Sequence, residues 1–256
     1  MDKKISKKIK LVGAGLGCAY LGLKALAYLT QEKTSIDDDN PYLSAIADND
    51  RSKRKETIYE RFVKPELDSV LSFCGMVSLL PVYAVTAAAV YLDDHGPVFF
   101  SQKRIGKGKH YFMLHKFRTM RMDAPHDTPT HLLSNPDQHI TRVGRIIRQY
   151  SIDELPQLWD AFRHKISLVG PRPALWNQAD LIAERDKYGA NDITPGITGL
   201  AQISGRDELR IEEKARLDGE YAKTVSIGAD LKCILKTAVA VLTSDGVIEG
   251  TGTKAE

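Results

Sequence analysis

The chain has 256 residues, of which 43% are hydrophobic and 27% are charged, and its formal net charge at neutral pH is +3. This length allows one large domain or two small ones, and the near-neutral charge argues against a dedicated nucleic-acid binder. Cys18, Cys74 and Cys233 are isolated and match neither a disulfide framework nor a zinc spacing. They are typical of reduced thiols in an intracellular protein.

The first apolar stretch runs from Leu11 to Leu29 and is nearly as long as a bilayer span, which needs about 20 residues. Four glycines dilute it, and Lys24 lies inside it. A lysine at the centre of a span costs roughly 2.5 to 3.5 kcal/mol. A signal peptide is an alternative, but the stretch has no convincing cleavage site. We therefore expect a weak apolar helix in or near the membrane interface.

The second apolar stretch, Leu67 to Asp94, is interrupted near its middle by Pro81. Proline kinks or breaks a helix at such a position. Lysines and arginines flank the first stretch on both sides and return after Asp94, and by the positive-inside rule all three basic regions prefer the cytoplasm. The pattern favours a helix that enters the bilayer, turns at Pro81 and leaves on the same face. A two-span hairpin and a soluble, kinked core helix are the alternatives.

Residues 35–56, between the two stretches, are polar, charged and poor in aromatics, which is typical of a flexible linker. After Gly96, the segment GPVFFSQKRIGKGKHYFMLHKFRTM predicts a two-stranded hairpin that turns through Gly106 and Gly108. Its basic turn fits a solvated loop or a lipid-headgroup surface better than a phosphate site. Alternation along the second strand places Lys116 and Arg118 on one face, where two parallel cations suit a phosphate.

The segment RVGRIIRQY carries three arginines at helical spacing: Arg142, Arg145 and Arg148. An amphipathic helix explains this pattern, with the apolar side chains directed inward: Val143, Ile146 and Ile147. Three histidines precede it in a loop-like segment: His126, His131 and His139. Their spacing matches no zinc ligand pattern, so we interpret them as solvated loop residues.

Two adjacent acids, Asp153 and Glu154, follow this helix in SIDELPQLWD. Ser151 and Glu154 have the spacing of a capping box, but Pro156 would then lie too deep in the helix, so the helix is expected to begin near Asp153. Both carboxylates would lie at the positive end of a helix dipole and be ionised at neutral pH. This stretch alone favours a structural cap over a nucleophile.

Two later segments constrain the backbone around basic side chains. In SLVGPRPAL, Pro171 and Pro173 enclose Arg172, an arrangement suited to an arginine that holds a phosphate or base. The stretch ITPGITGLAQISGR is rich in turn residues and ends on Arg206, which predicts an irregular loop in close approach to another group.

The motifs KFRTM, DELPQLWD, LVGPRP and PGITGLAQISGR occur in this order after a proline-broken apolar segment and GPVFF. Together they resemble the monotopic phosphoglycosyl transferases, a family of bacterial sugar transferases, and the resemblance runs from about Lys64 to Gly252. It implies transfer of a sugar 1-phosphate from a UDP-sugar to a polyprenyl phosphate, usually undecaprenyl phosphate, with release of UMP. Such a reaction is the first membrane step of a capsule, exopolysaccharide, O-antigen or glycoprotein pathway.

The resemblance also assigns roles to individual residues. Asp153 would be the nucleophile that forms a covalent phosphosugar intermediate, and Glu154 and Asp153 would hold Mg2+. The substrate phosphates and the nucleotide would be bound by Lys116, Arg118, Arg148, Pro171, Arg172, Pro173 and Arg206. Two departures stand out, since the family commonly has Ser where Leu80 precedes the breaking proline, and an aromatic residue where this chain has Ala201.

The fold implied is mixed α/β and mostly helical, with a proline-broken re-entrant membrane helix, a short β-hairpin and interfacial amphipathic helices. Residues 1–63 form an N-terminal extension, 64–94 the re-entrant helix and 95–256 a cytosolic catalytic domain at the bacterial inner membrane. Expected partners are a UDP-sugar, undecaprenyl phosphate, membrane lipids, a second copy of the chain and downstream glycosyltransferases, but no nucleic acid. A noncatalytic membrane-surface adaptor and a membrane phosphohydrolase are the alternative functions.

Overall fold

The computed structural model describes residues 15–27, 54–125, 136–205 and 209–243. The chain divides into two compact units, Met1–Ser35 and Ile36–Glu256. Within the first unit, α1 (Gly15–Ala27) is a short apolar helix. His126, His131, Arg206 and most of the predicted linker lie outside the described residues.

The second unit contains a bent helix pair, α2 (Lys64–Ser78) and α3 (Leu80–Asp93), which follows a π-helical turn over Tyr59–Val63. The helix axis bends by 65° at the break between them. Among the described residues, no single helix has the length and apolar character of a membrane span, whereas this bent pair meets both criteria. The helix break predicted from Pro81 is present. It lies at Leu79 because the proline takes the first turn of α3, where its missing N–H is tolerated.

The predicted β-hairpin follows as strands β1 (Phe99–Ile105) and β2 (Tyr111–Phe117). They are antiparallel, and Phe100 lies opposite Lys116. A 3-10 turn over Lys107–Lys109 joins them. Gly108 has a φ of 64° there, a left-handed conformation that glycine adopts without a steric penalty.

The remaining elements are short helices and a second small sheet. In chain order they are α4 (Pro136–His139), α5 (Arg142–Gln149), a 3-10 turn (Ile152–Glu154), α6 (Gln157–Phe162), β3 (Ser167–Val169), α7 (Ala179–Asp186), a 3-10 turn (Ala190–Asp192), β4 (Gly196–Thr198), α8 (Leu200–Ser204), α9 (Ile211–Thr224) and α10 (Ile227–Thr243). Strands β3 and β4 pair in parallel. The described chain is therefore mostly helical with small sheets, as predicted.

Helix α5 is amphipathic, but one of the three side chains predicted to point inward is exposed. Ile147 is buried, and Val143 packs against the same apolar cluster. Ile146, which was expected to point inward, is 58% exposed. The inward row is the one spaced by four residues, so Ile146 falls outside it. Thr141 caps the helix by accepting a hydrogen bond from Gly144 N.

The segment 193–206, expected to be an irregular loop, contains β4 and α8, so that prediction was wrong in its secondary structure. Its close approach to another group is confirmed. A Cβ on Gly196 would lie 2.0 Å from Gly170 N, and one on Gly199 would lie 2.1 Å from Gly170 O. The backbone of this segment therefore packs directly against the residue that precedes Pro171.

This contact predicts that Gly196→Ala destabilises the protein by about 1–3 kcal/mol, because a backbone atom, unlike a flexible side chain, cannot move aside. The matched control is Gly228→Ala in α10, where a Cβ would meet nothing within 4 Å. That change should be neutral or stabilising by up to about 1 kcal/mol, since alanine is the better helix former. Thermal unfolding in detergent, monitored by tryptophan fluorescence, measures the stability of both variants. Equal unfolding temperatures would contradict the prediction.

Candidate active site

The two acids lie on the 3-10 turn Ile152–Glu154, just before α6. The helix begins at Gln157 rather than near Asp153 as predicted, because Pro156 serves as its N-cap residue. Ser151 has a φ of 55°, in the left-handed region, and its side chain makes no capping hydrogen bond. The capping box is therefore not formed, and the side chain of Glu154 is available for other contacts.

The carboxylate of Glu154 accepts hydrogen bonds from two cations that reach it from different elements. Lys116 Nζ, at the end of β2, lies 2.7 Å from Glu154 Oε1, and Arg172 NH2 lies 2.8 Å from the same oxygen. Hydrogen bonds between charged groups are about twice as strong as neutral ones. The hairpin, the acid turn and the segment Pro171–Pro173 therefore meet at one oxygen atom.

The pKa values of the two acids move in opposite directions. Burial raises the pKa of Asp153 to about 6, the charge of Lys116 opposes this rise, and the charge of Glu154 adds to it. Burial also acts to raise the pKa of Glu154, but Arg172 and Lys116 outweigh it and hold that pKa well below its usual range. Glu154 is thus a fixed anion, and Asp153 is mostly ionised at neutral pH.

Arg104 belongs to this site, although the sequence analysis treated it only as part of a basic turn. Its guanidinium donates to Pro173 O at 3.0 Å and to Gln102 Oε1 at 2.6 Å. Burial, together with the nearby charge of Arg172, lowers the pKa of Arg104 to about 10. Strand alternation could have identified it, since Arg104 and Gln102 share a face of the hairpin with Lys116.

The other predicted residues are placed as follows. Arg148, in the last turn of α5, is close enough that its charge lowers the pKa of Asp153. Arg118 lies elsewhere: β2 ends at Phe117, and the Arg118 guanidinium contacts Asp94, with NH1 3.7 Å from Asp94 Oδ2. Lys116 and Arg118 therefore contact different acids, Glu154 and Asp94, although the backbone pairing continues to Arg118, whose N–H donates to Val98 O at 2.8 Å.

The site as a whole is positively charged, with four cations around two carboxylates: Lys116, Arg104, Arg148 and Arg172 around Asp153 and Glu154. Burial lowers the pKa of Lys116, and the charge of Glu154 opposes this effect. Arg172 remains 45% exposed, so it can reach a bound molecule. An excess of positioned cations beside an ionisable carboxylate suits an anionic, phosphate-bearing substrate.

The donor set can be tested against the magnesium ion that the resemblance implies. In the part of the chain that the structure describes, no three His, Cys, Asp or Glu side chains converge as a metal cage. Magnesium does not need one, because it usually binds through one or two carboxylates together with substrate phosphates and water. The adjacent carboxylates of Asp153 and Glu154 fit this mode of binding.

A second buried carboxylate, Asp160 on α6, fixes the open edge of the hairpin. Asp160 is 1% exposed, and its Oδ2 accepts a hydrogen bond from His115 N at 2.9 Å. Its Oδ1 lies 2.7 Å from His115 Nδ1. Because His115 precedes Lys116, this pair attaches β2 to the same segment that carries the acids.

We therefore expect Asp160→Ala to destabilise the protein by about 1–3 kcal/mol, since it leaves the backbone N–H of His115 without its acceptor. Asp180→Ala is the matched control: Asp180 is an exposed acid in the first turn of α7, where the loss should be below about 1 kcal/mol. Thermal unfolding of both variants measures the difference. Equal losses for the two would show that Asp160 has no special role at the strand edge.

Comparisons with known proteins identify the family of the chain. Residues 59–244 match the family model described as bacterial sugar transferase. The sugar transferase EpsL of Bacillus subtilis is 43% identical over 163 residues, which are 63% of this chain and 78% of the relative. The undecaprenyl-phosphate glucose phosphotransferase of Komagataeibacter xylinus is 39% identical over 195 residues, 72% of this chain but only 37% of that protein.

A third relative, the UDP-glucose:undecaprenyl-phosphate glucose-1-phosphate transferase of Caulobacter vibrioides, is 37% identical over 191 residues, 71% of this chain and 70% of its own length. The site is that of an enzyme of the phosphoglycosyl transferase class. The chain belongs to the bacterial sugar transferase family.

Proposed function

We propose that this enzyme transfers a sugar 1-phosphate from a UDP-sugar to undecaprenyl phosphate and releases UMP. The observation that carries the proposal is the pair Asp153 and Glu154, in which the Glu154 charge is compensated by Lys116 and Arg172 while Asp153 keeps a raised pKa. Relatives named as undecaprenyl-phosphate glucose-1-phosphate transferases support the donor and acceptor classes. CpsE and the exopolysaccharide production protein ExoY are further relatives, which supports a capsule or exopolysaccharide pathway.

Asp153 acts as the nucleophile in the first step. One of its carboxylate oxygens attacks the phosphorus that carries the sugar, the bond from that phosphorus to the bridging oxygen breaks, and UMP leaves with the bonding electrons. An oxygen of undecaprenyl phosphate then attacks the aspartyl phosphosugar and restores the Asp153 carboxylate. An acyl phosphate suits this role because the carboxylate is a good leaving group in the second step.

The cations stabilise the negative charge that accumulates when two anionic reactants meet. Arg172 is exposed and lies beside Glu154, so it binds the donor phosphates, while Lys116 and Arg148 act next to Asp153. Preorganised charges of this kind usually contribute the largest part of catalysis. Arg206 stays a predicted nucleotide ligand. Mg2+, held by Asp153 and Glu154, would neutralise phosphate charge and orient the donor.

The bent helix pair α2–α3 provides the membrane attachment. We place it as a re-entrant segment that enters and leaves on the cytoplasmic face of the inner membrane, a placement supported by its 65° bend and by the basic residues on its flanks. Its exposed surface is apolar along both helices: Val70, Leu71, Val77, Leu80, Val82, Val85 and Leu92. Helix α3 packs beside the acid turn, which supports a reaction close to the membrane surface.

The membrane phosphohydrolase is the competing reaction, since the same nucleophile could pass its phosphosugar to water. To separate the two, purified protein is incubated with Mg2+, undecaprenyl phosphate and a panel of UDP-sugars, and the released nucleotide is identified. We expect UMP that depends on both lipid and sugar nucleotide, together with a lipid-linked diphosphosugar, from one or a few donors.

The matched control is Asp153→Asn, which keeps the size of the side chain but removes the nucleophile, and should lower turnover at least about 1000-fold, the scale of losing a catalytic nucleophile. Release of UDP instead of UMP would contradict the mechanism. Free sugar phosphate without lipid would identify a hydrolase. An unchanged rate in Asp153→Asn would remove Asp153 from its proposed role.

A further inference from the structure

We propose that Tyr83, on the bent helix pair, is a positioning residue that couples this helix to the acid turn. The inference rests on the proposed function, because it concerns how Asp153 and Glu154 are held for that reaction. Tyr83 lies two residues after Pro81, on the part of α3 that follows the bend. The Tyr83 hydroxyl donates to the backbone of the turn, so its effect on the acids is exerted through that backbone.

The central contact is a hydrogen bond between side chain and backbone. Tyr83 OH donates to Leu155 O at 2.5 Å, and Leu155 is the residue directly after Glu154. The same carbonyl accepts a second hydrogen bond, from Leu158 N at 3.0 Å, in the first turn of α6. The Tyr83 hydroxyl is therefore bonded to Leu155, the residue at which the acid turn passes into α6. A shift of α3 would move that residue.

Apolar packing reinforces the hydrogen bond. Ile152 and Leu155, the two residues that flank the acid pair, pack against the same buried cluster as Tyr83. The buried members of that cluster are Val90, Phe117 and Ile147. The Tyr83 ring lies 5.7 Å from the Phe117 ring, centroid to centroid, and in a tilted orientation. This arrangement favours a single position for the phenol.

The far end of α3 holds a second part of the site. Asp93 Oδ2 accepts a hydrogen bond from Val143 N at 2.8 Å, in the first turn of α5. Helix α5 ends with Arg148, whose charge acts on Asp153. One helix of the bent pair thus supports both the turn that bears the acids and the helix that bears one of their cations.

These contacts explain why a membrane-inserted helix would matter for chemistry in the water-exposed domain. The acid turn is only three residues long, and Ser151 before it is in the left-handed region. Such a turn needs support from its neighbours to keep one conformation. Tyr83 supplies a directional contact from the helix that the bilayer holds, whereas an apolar residue there would supply packing alone.

The test compares Tyr83→Phe with Tyr91→Phe. Phenylalanine keeps the ring and its packing but removes the hydroxyl, so folding should be retained. Tyr91 is a suitable control because it lies on the same helix, is 50% exposed and contacts the His95 ring. Both variants are reconstituted in lipid vesicles, and kcat and KM for the productive UDP-sugar are measured alongside membrane association and the unfolding temperature.

We expect Tyr83→Phe to lower kcat about fivefold, the effect of one net hydrogen bond expressed in the transition state, with KM changed less than about twofold. Tyr91→Phe should match the wild type in both constants. A purely stabilising role would lower the unfolding temperature and leave kcat of the folded protein unchanged. That result, or equal kinetics for the two variants, would overturn the proposal.

Hydrogen–deuterium exchange provides a readout that does not depend on activity. The amides of Glu154, Leu155, Gln157 and Leu158 should exchange faster in Tyr83→Phe than in the wild type, and at the wild-type rate in Tyr91→Phe. If the wild-type protein releases no UMP, the proposed function fails, and the exchange result still decides whether Tyr83 orders the turn. Unchanged exchange in Tyr83→Phe would refute the coupling even in an active enzyme.

Discussion

The compensation of the charge on one partly buried carboxylate organises this site. Glu154 lies on a three-residue turn, and its Oε1 accepts hydrogen bonds from Lys116 and Arg172. Removing charges from water is costly unless they are paired and hydrogen-bonded, so the three side chains hold one another in place. Through them, the β-hairpin, the acid turn and the proline-flanked segment keep a common geometry, and Arg104 supports the last of these through Pro173 O.

The same interaction gives two chemically similar acids different pKa values and different roles. Glu154 receives both cationic hydrogen bonds and is held ionised, whereas burial dominates at Asp153 and raises its pKa. A group with a raised pKa is a stronger base and a better nucleophile when it is ionised. Separating the pKa values of neighbouring acids is a common way to assign them different functions. Here it is consistent with Asp153 as the reacting group and Glu154 as the fixed anion.

Supporting contacts surround this site on several sides. Asp160 binds the open edge of β2 through His115, and α3 packs beneath the acid turn through Tyr83 and its apolar neighbours. Gly170 and Gly196 allow two backbone segments to touch next to Pro171. The reacting groups therefore lie on short, irregular segments whose rigidity comes from the elements around them.

Local sequence patterns were sufficient for the hairpin and for the helix break near Pro81, because turn glycines and prolines act over short distances. The grouping of Lys116, Arg172 and the acid pair followed from the resemblance to the sugar transferase family and not from a local pattern. Local patterns did not show that the guanidinium of Arg118 contacts Asp94. Strand alternation places Arg104 on the face of Lys116, but the contact of Arg104 with Pro173 forms only when the hairpin folds against that segment. Local patterns also did not predict the start of α6 or the outward position of Ile146. Burial and the compensation of charge depend on residues far apart in the chain, so only the tertiary structure decided which basic residues meet the two acids.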